Sequence, residues 1–183
     1  MEEVIRNLFI GGDLDSEYAR GRHGWAVVHA ERDAFREYAG RHRLAARDAI
    51  TSSDGTELFL SFEDARCADR VNTRCIHPAL GFIHRHLAAG RKVLVHCIAG
   101  VSRAPAIVLL YLLRFTDVLP RTNIFDAIFS FSELYPLYDP NDGLFAYAAK
   151  FLEEILHGVL RLREPVRPHV LGQHALGHIQ QHK

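Results

Sequence analysis

The chain has 183 residues, enough to build one hydrophobic core with a short extension beyond it. Its 22 Lys and Arg balance 22 Asp and Glu, so no general field recruits nucleic acid or an anionic membrane, and any local basicity must come from placement. Three cysteines are too few, and odd in number, for a disulfide framework; with no apolar run long enough to cross a bilayer, they give the expectation of a cytoplasmic protein without a membrane anchor.

Leu8-Phe9-Ile10 followed by Gly11-Gly12 reads as a strand ending in a turn, and 24–30, rich in Val and Ala, reads as a second core strand. Residues 31–50 have helix-forming composition with Phe35, Tyr38, Leu44 and Ala45 as the apolar positions, and 51–55 is a turn. Glu57 to Ser61 reads as a third strand running into the acidic segment Phe62-Glu63-Asp64-Ala65. A helix is expected over 78–89, with Leu80, Ile83 and Leu87 on one side and Gly90 as its stop. His84 and His86 lie two apart on it and cannot share a side, so they are not read as metal ligands.

The densest signal lies at 92–113. Val93-Leu94-Val95 is a buried parallel strand by composition, and Ala104 onward is rich in helix formers, with Pro105 fitting a helix only in its first turn. Strand, tight loop and helix N-terminus together make an anion cradle. Free N–H groups of Ile98, Ala99, Gly100, Val101 and Ser102 and the positive end of the helix dipole favour a phosphate, and Arg103 adds a planar fork for two of its oxygens. Cys97, on the floor of that cradle, is favoured as a thiolate and so as a nucleophile toward bound phosphorus.

The string His96-Cys97-Ile98-Ala99-Gly100-Val101-Ser102-Arg103 resembles the signature of the cysteine-dependent protein phosphatases, closest to the dual-specificity group. The resemblance covers about 6–160 and extends to the Leu-aromatic-Ile-Gly opening at Leu8 and to the proline-punctuated segment at 135–143. It implies a single α/β domain over 1–163, a mostly parallel sheet of 4–5 strands with helices on both sides, acting on phosphorylated proteins through a cysteinyl-phosphate, with no cofactor or metal.

Cys97 and Arg103 then carry catalysis, and His96 supports the loop by hydrogen bonds to its backbone. Asp64 is the candidate general acid, since it follows a strand in the loop where the family keeps that residue; Asp69 and Glu63 are its rivals. Arg66, Arg70 and Arg74 read as local ion pairs, and Cys67 and Cys75 as ordinary cysteines rather than redox partners of Cys97. Ala104 departs from the family, which places Ser or Thr after the arginine to bond the thiolate as it leaves the phosphoenzyme. That departure gives weight to a phosphopeptide-binding pseudophosphatase, and a phosphoinositide or RNA 5′-phosphatase is the other alternative.

Beyond the cradle, Thr122 is read as the cap of a helix through Phe131, and a last helix is expected over 143–161, with Tyr135 and Tyr138 read as packing rather than as lining the pocket. Residues 164–183 are read as a flexible extension, in which His174, His178 and His182 are solvated rather than a metal site.

Overall fold

The computed structural model describes residues 1–45 and 47–161. Six strands form one sheet: β1 (Glu2–Ile5), β2 (Leu8–Gly11), β3 (Trp25–His29), β4 (Ala49–Thr51), β5 (Glu57–Leu60) and β6 (Lys92–His96). Their order is β1-β2-β6-β3-β5-β4. The four central strands are parallel and the two edge strands antiparallel.

The expected 4–5 strands become six because neither edge shows a strand pattern: β1 opens on the exposed pair Glu2-Glu3, and β4 has only three residues. β1 is joined to β2 through Arg6 and Asn7, the latter at φ 66°. β4 overlaps the end of the span read as helix and the start of the turn after it. There α2 (Arg32–Arg41) stops early, and the chain instead buries Ile50 by pairing it with Phe59. Pairing with a neighbour outweighs local propensity.

Strand alternation divides the core. Leu8, Ile10, Ala26, Val28, Leu58, Leu60, Val93 and Val95 face the main cluster with α3 (Thr73–Ala88), α4 (Arg103–Phe115) and α6 (Asp142–Leu156). Phe9, Val27, Phe59 and Leu94 face the other side, in two smaller clusters that include Ala19 of α1 (Asp13–Ala19) and Phe35 of α2. α4 is apolar nearly all round and buried accordingly; each Leu, Ile or Val fixed there removes about 1.5–3 kcal/mol of side chain from water.

α3 begins five residues before Pro78, which sits inside the helix. The proline's missing N–H is tolerated because Cys75, Ile76, Ala79, Leu80, Phe82 and Ile83 are all buried along that helix. α5 (Ile124–Leu134) is capped not by Thr122 but by Asn123, whose side chain accepts from the Asp126 amide at 2.9 Å. α6 ends at Leu156, short of 161, with Gly158 at φ 72° just beyond. No helix among the described residues is long and apolar enough to cross a membrane. The residues read as a flexible extension, 164–183, lie outside the described residues.

Parallel pairing aligns the carboxyl ends of the central strands. Gly11 and His29 both sit opposite His96, so the loops leaving β2, β3 and β6 meet at one edge. Ligand sites of open α/β sheets form in this crevice.

Candidate active site

The loop from Cys97 to Ser102 joins β6 to α4 at that edge, and its shape is set from outside. The Asp13 amide donates to the Ile98 carbonyl at 3.2 Å and the Asp139 amide to the Val101 carbonyl at 2.8 Å. Tyr135 Oη donates to the Gly100 carbonyl at 2.9 Å. In a trans peptide the C=O and the following N–H point opposite ways. Carbonyls drawn outward at 98, 100 and 101 therefore turn the amides of Ala99, Val101 and Ser102 toward the enclosed space, where an anion would meet them.

Gly100 is required twice over. Its φ is 75°, and a Cβ there would stand 2.9 Å from the Gly11 carbonyl carbon and oxygen. Gly12, directly after β2, serves the same approach, since a Cβ on it would reach the Ile98 oxygen at 3.0 Å.

Cys97 is buried on this loop, and Arg103 opens α4 half-buried, its Nε without a hydrogen-bond partner. Asp64 is exposed, and its Oδ1 accepts from Ser102 Oγ at 2.6 Å. The same hydroxyl accepts from the Asn141 amide at 3.2 Å, and Asn141 Nδ2 donates to the Asp64 carbonyl at 3.5 Å. Of the three acids weighed from the sequence, Asp64 is the one hydrogen-bonded to the loop. Glu63 pairs with Arg32, and Asp69 is exposed in the 3-10 turn Ala68–Arg70. Gly143, in the first turn of α6, packs so tightly on the acid loop that a Cβ would meet the Ala65 oxygen at 2.5 Å.

His96 is buried, and its Nε2 lies 2.6 Å from Nδ1 of His29, whose Nε2 lies 2.9 Å from Glu57 Oε2. Arg20 Nε donates to the same oxygen at 2.9 Å. Burial, then the neighbouring His29, pushes the His96 imidazole down to about 3. Burial likewise pushes His29 down despite Glu57, while the hydrogen bond from His29 and the charge of Arg20 hold Glu57 below the usual carboxylate range.

Cys75 is buried, with its thiol 3.0 Å from the Asp48 carbonyl, and burial pushes it up to about 12; Cys67 is exposed. Arg74 pairs with Asp48 at 3.8 Å. Sequence reasoning passed over Ser102 as a tether, Tyr135 and Asn141 as clasps, and the His29–Glu57 chain. Their roles depend on contacts between residues about 30–80 positions apart, although a buried-strand histidine such as His29 was a visible oddity.

The structure thus places the buried Cys97, the loop that follows it, Arg103 at the start of α4 and the Ser102-bonded Asp64 together at one edge of the sheet. Residues 50–128 match the family model of the dual specificity phosphatase catalytic domain. Mouse dual specificity protein phosphatase 22 is 42% identical over 117 residues, covering 64% of this chain and 56% of that protein. Human dual specificity protein phosphatase 5 is 30% identical over 123 residues, covering 67% of this chain and 30% of that one. The chain thus spans about a third to just over half of these curated relatives. A mouse putative dual specificity phosphatase, crystallised with zinc tungstate, superposes with a TM-score of 0.61 at 20% identity over 90% of this chain and 92% of that one. Over its central part the chain is thus similar to the dual specificity phosphatases, a likeness that supports the cysteine-dependent protein tyrosine phosphatase superfamily for it.

Proposed function

We propose that this protein hydrolyses phosphate monoesters on phosphotyrosine, phosphoserine or phosphothreonine of proteins through a cysteinyl-phosphate. The observation that carries the reading is the tie between acid and cradle: Asp64 is held by Ser102, the residue directly before Arg103. Cys97 Sγ attacks phosphorus while the inward amides and the Arg103 guanidinium hold the equatorial oxygens. Asp64, with Oδ1 on Ser102, gives a proton from Oδ2 to the departing oxygen. It then takes one from the water that releases phosphate from sulfur.

A protein substrate is favoured over an inositol phosphate or an RNA end. The loop side chains Ile98, Ala99, Val101 and Ser102 bring no lysine, and the cavity next to them carries five acidic side chains against two arginines, a poor approach for a polyanion. Cys97→Ser is expected to abolish hydrolysis of phosphotyrosine and phosphothreonine peptides while keeping orthovanadate binding by calorimetry. Full activity in that variant would overturn the assignment.

A further inference from the structure

Two buried histidines stand side by side at the root of the phosphate loop. His29 ends β3 and His96 ends β6, directly opposite each other in the parallel pair, and the Ala30 amide donates to the His96 carbonyl at 2.9 Å. Main-chain bonds therefore fix the distance between them. They are 2% and 1% exposed, and His29 Nδ1 lies 2.6 Å from His96 Nε2. The His29 ring stacks on Phe59 at 4.2 Å, Phe59 stacks in turn on Tyr38 at 4.0 Å, and His29 meets the His96 ring edge-on. The other nitrogen of His29, Nε2, lies 2.9 Å from Glu57 Oε2, which Arg20 also holds. Each contact restricts the ring, so His29 presents Nδ1 to His96 in one direction.

The far side of the His96 ring is hydrogen-bonded to the backbone of Cys97, a bond that favours the protonated imidazole. An acceptor has that effect, and the Cys97 amide is already directed at the Gly11 carbonyl at 3.4 Å, so the partner is the Cys97 carbonyl. A carbonyl drawn toward His96 turns the next amide, that of Ile98, the opposite way, into the cradle with those of Ala99, Val101 and Ser102. The tilt of one imidazole thus sets the first amide after the nucleophile. An apolar pair at 29 and 96 would pack the sheet without desolvating two polar rings.

We infer that His29, braced by Glu57, is a positioning residue for the nucleophile: through His96 it holds the Cys97 peptide so that the Ile98 amide turns into the cradle and favours the thiolate. The inference rests on the phosphatase reading for the role of Cys97. The other charged or titratable groups around this end of β6 and its loop are Asp13, 3.4 Å from His96 Nδ1, together with Asp15, Glu31, Asp64, Arg103 and Tyr135. None of them is altered in the test.

The test uses the full chain with Cys67→Ser, which removes the exposed competing thiol; Cys75 is buried. The amide of Asn takes the place of imidazole Nδ1 and that of Gln the place of Nε2, because the two side chains differ by one methylene. His29→Asn therefore keeps a partner for His96 and loses the one for Glu57, and His29→Gln does the reverse. The ionisation constant of Cys97 is read from the pH profile of its alkylation by iodoacetamide, since the thiolate is the reacting form. It is expected to fall at least about fivefold in His29→Gln, the equivalent of one hydrogen bond, and less than about twofold in His29→Asn. Glu57→Gln, at a half-buried site, carries the test where a buried variant fails to fold, which circular dichroism records. It is expected to lower the constant about twofold by weakening a charge-assisted bond, whereas loss of the carboxylate's field alone would raise it. An equal change in the two His29 variants, no change in His29→Gln, or a rise in Glu57→Gln would each overturn the inference. Alkylation needs no substrate, so such a result leaves the phosphatase reading to be decided by Cys97→Ser.

Discussion

Ser102 is the residue through which the acid and the cradle are joined, and Ser102→Ala removes both of its bonds. The bond to Asp64 at 2.6 Å has the length of a charge-assisted hydrogen bond, a type that contributes about 1.5–3 kcal/mol. Asp64 is exposed, which places the loss toward the lower end, about 1.5 kcal/mol or tenfold in rate. A series of aryl phosphates graded by the acidity of the departing phenol separates positioning of the acid from support of the loop. A weakly acidic phenol needs the proton, and a strongly acidic one leaves without it. Plotted against phenol pKa, log kcat/KM is expected to fall more steeply in the variant, with the loss concentrated in the poorest leaving groups and recovered in Ser102→Thr. An equal loss across the series would refute the tether and leave Ser102 as a loop support only. The Asn141 amide left unpaired is expected to lower stability separately, which a urea midpoint records.

Ala104→Ser restores a hydroxyl at the first turn of α4; a hydrogen bond to the departing thiolate contributes about 1.5–3 kcal/mol, so hydrolysis of the phosphoenzyme is expected to rise about tenfold or more. Rapid quench should show a burst in the natural chain that shrinks in the variant, and no burst in either would count against a slow second step. Gly100→Ala imposes a Cβ at φ 75° and 2.9 Å from the Gly11 main chain, a cost of at least about 2 kcal/mol read from urea midpoints; an unchanged midpoint refutes the close approach. Stability should also fall on acidification. His29 and His96 have folded values depressed by burial, so below the unfolded value of about 6.5 the unfolded chain binds more protons. The loss runs at up to about 1.4 kcal/mol per pH unit for each ring, down toward about 3 for His96, and equal midpoints at pH 7.5 and 5.5 would contradict it.

What the sequence alone determined is local. β6, the phosphate loop and the start of α4 form one contiguous stretch, where strand composition, Gly100 and Pro105 act on their immediate neighbours. The same holds for β2, β3 and β5, whose β-branched and aromatic runs fit a half-buried or buried surface. What only the tertiary structure decided are the edge strands, the start of α3 and the partners of the site. β1, opening on exposed Glu2 and Glu3, and the three-residue β4 carry no strand pattern of their own until a neighbour supplies hydrogen bonds, and Pro78 looks like a helix start until the apolar residues before it are seen to be buried. The clasps from Tyr135 and Asn141, the Ser102 tether and the Glu57–His29–His96 chain join residues about 30–80 positions apart. No periodicity carries such pairings, because a hydrogen bond depends on a few tenths of an ångström set by packing rather than on residue type.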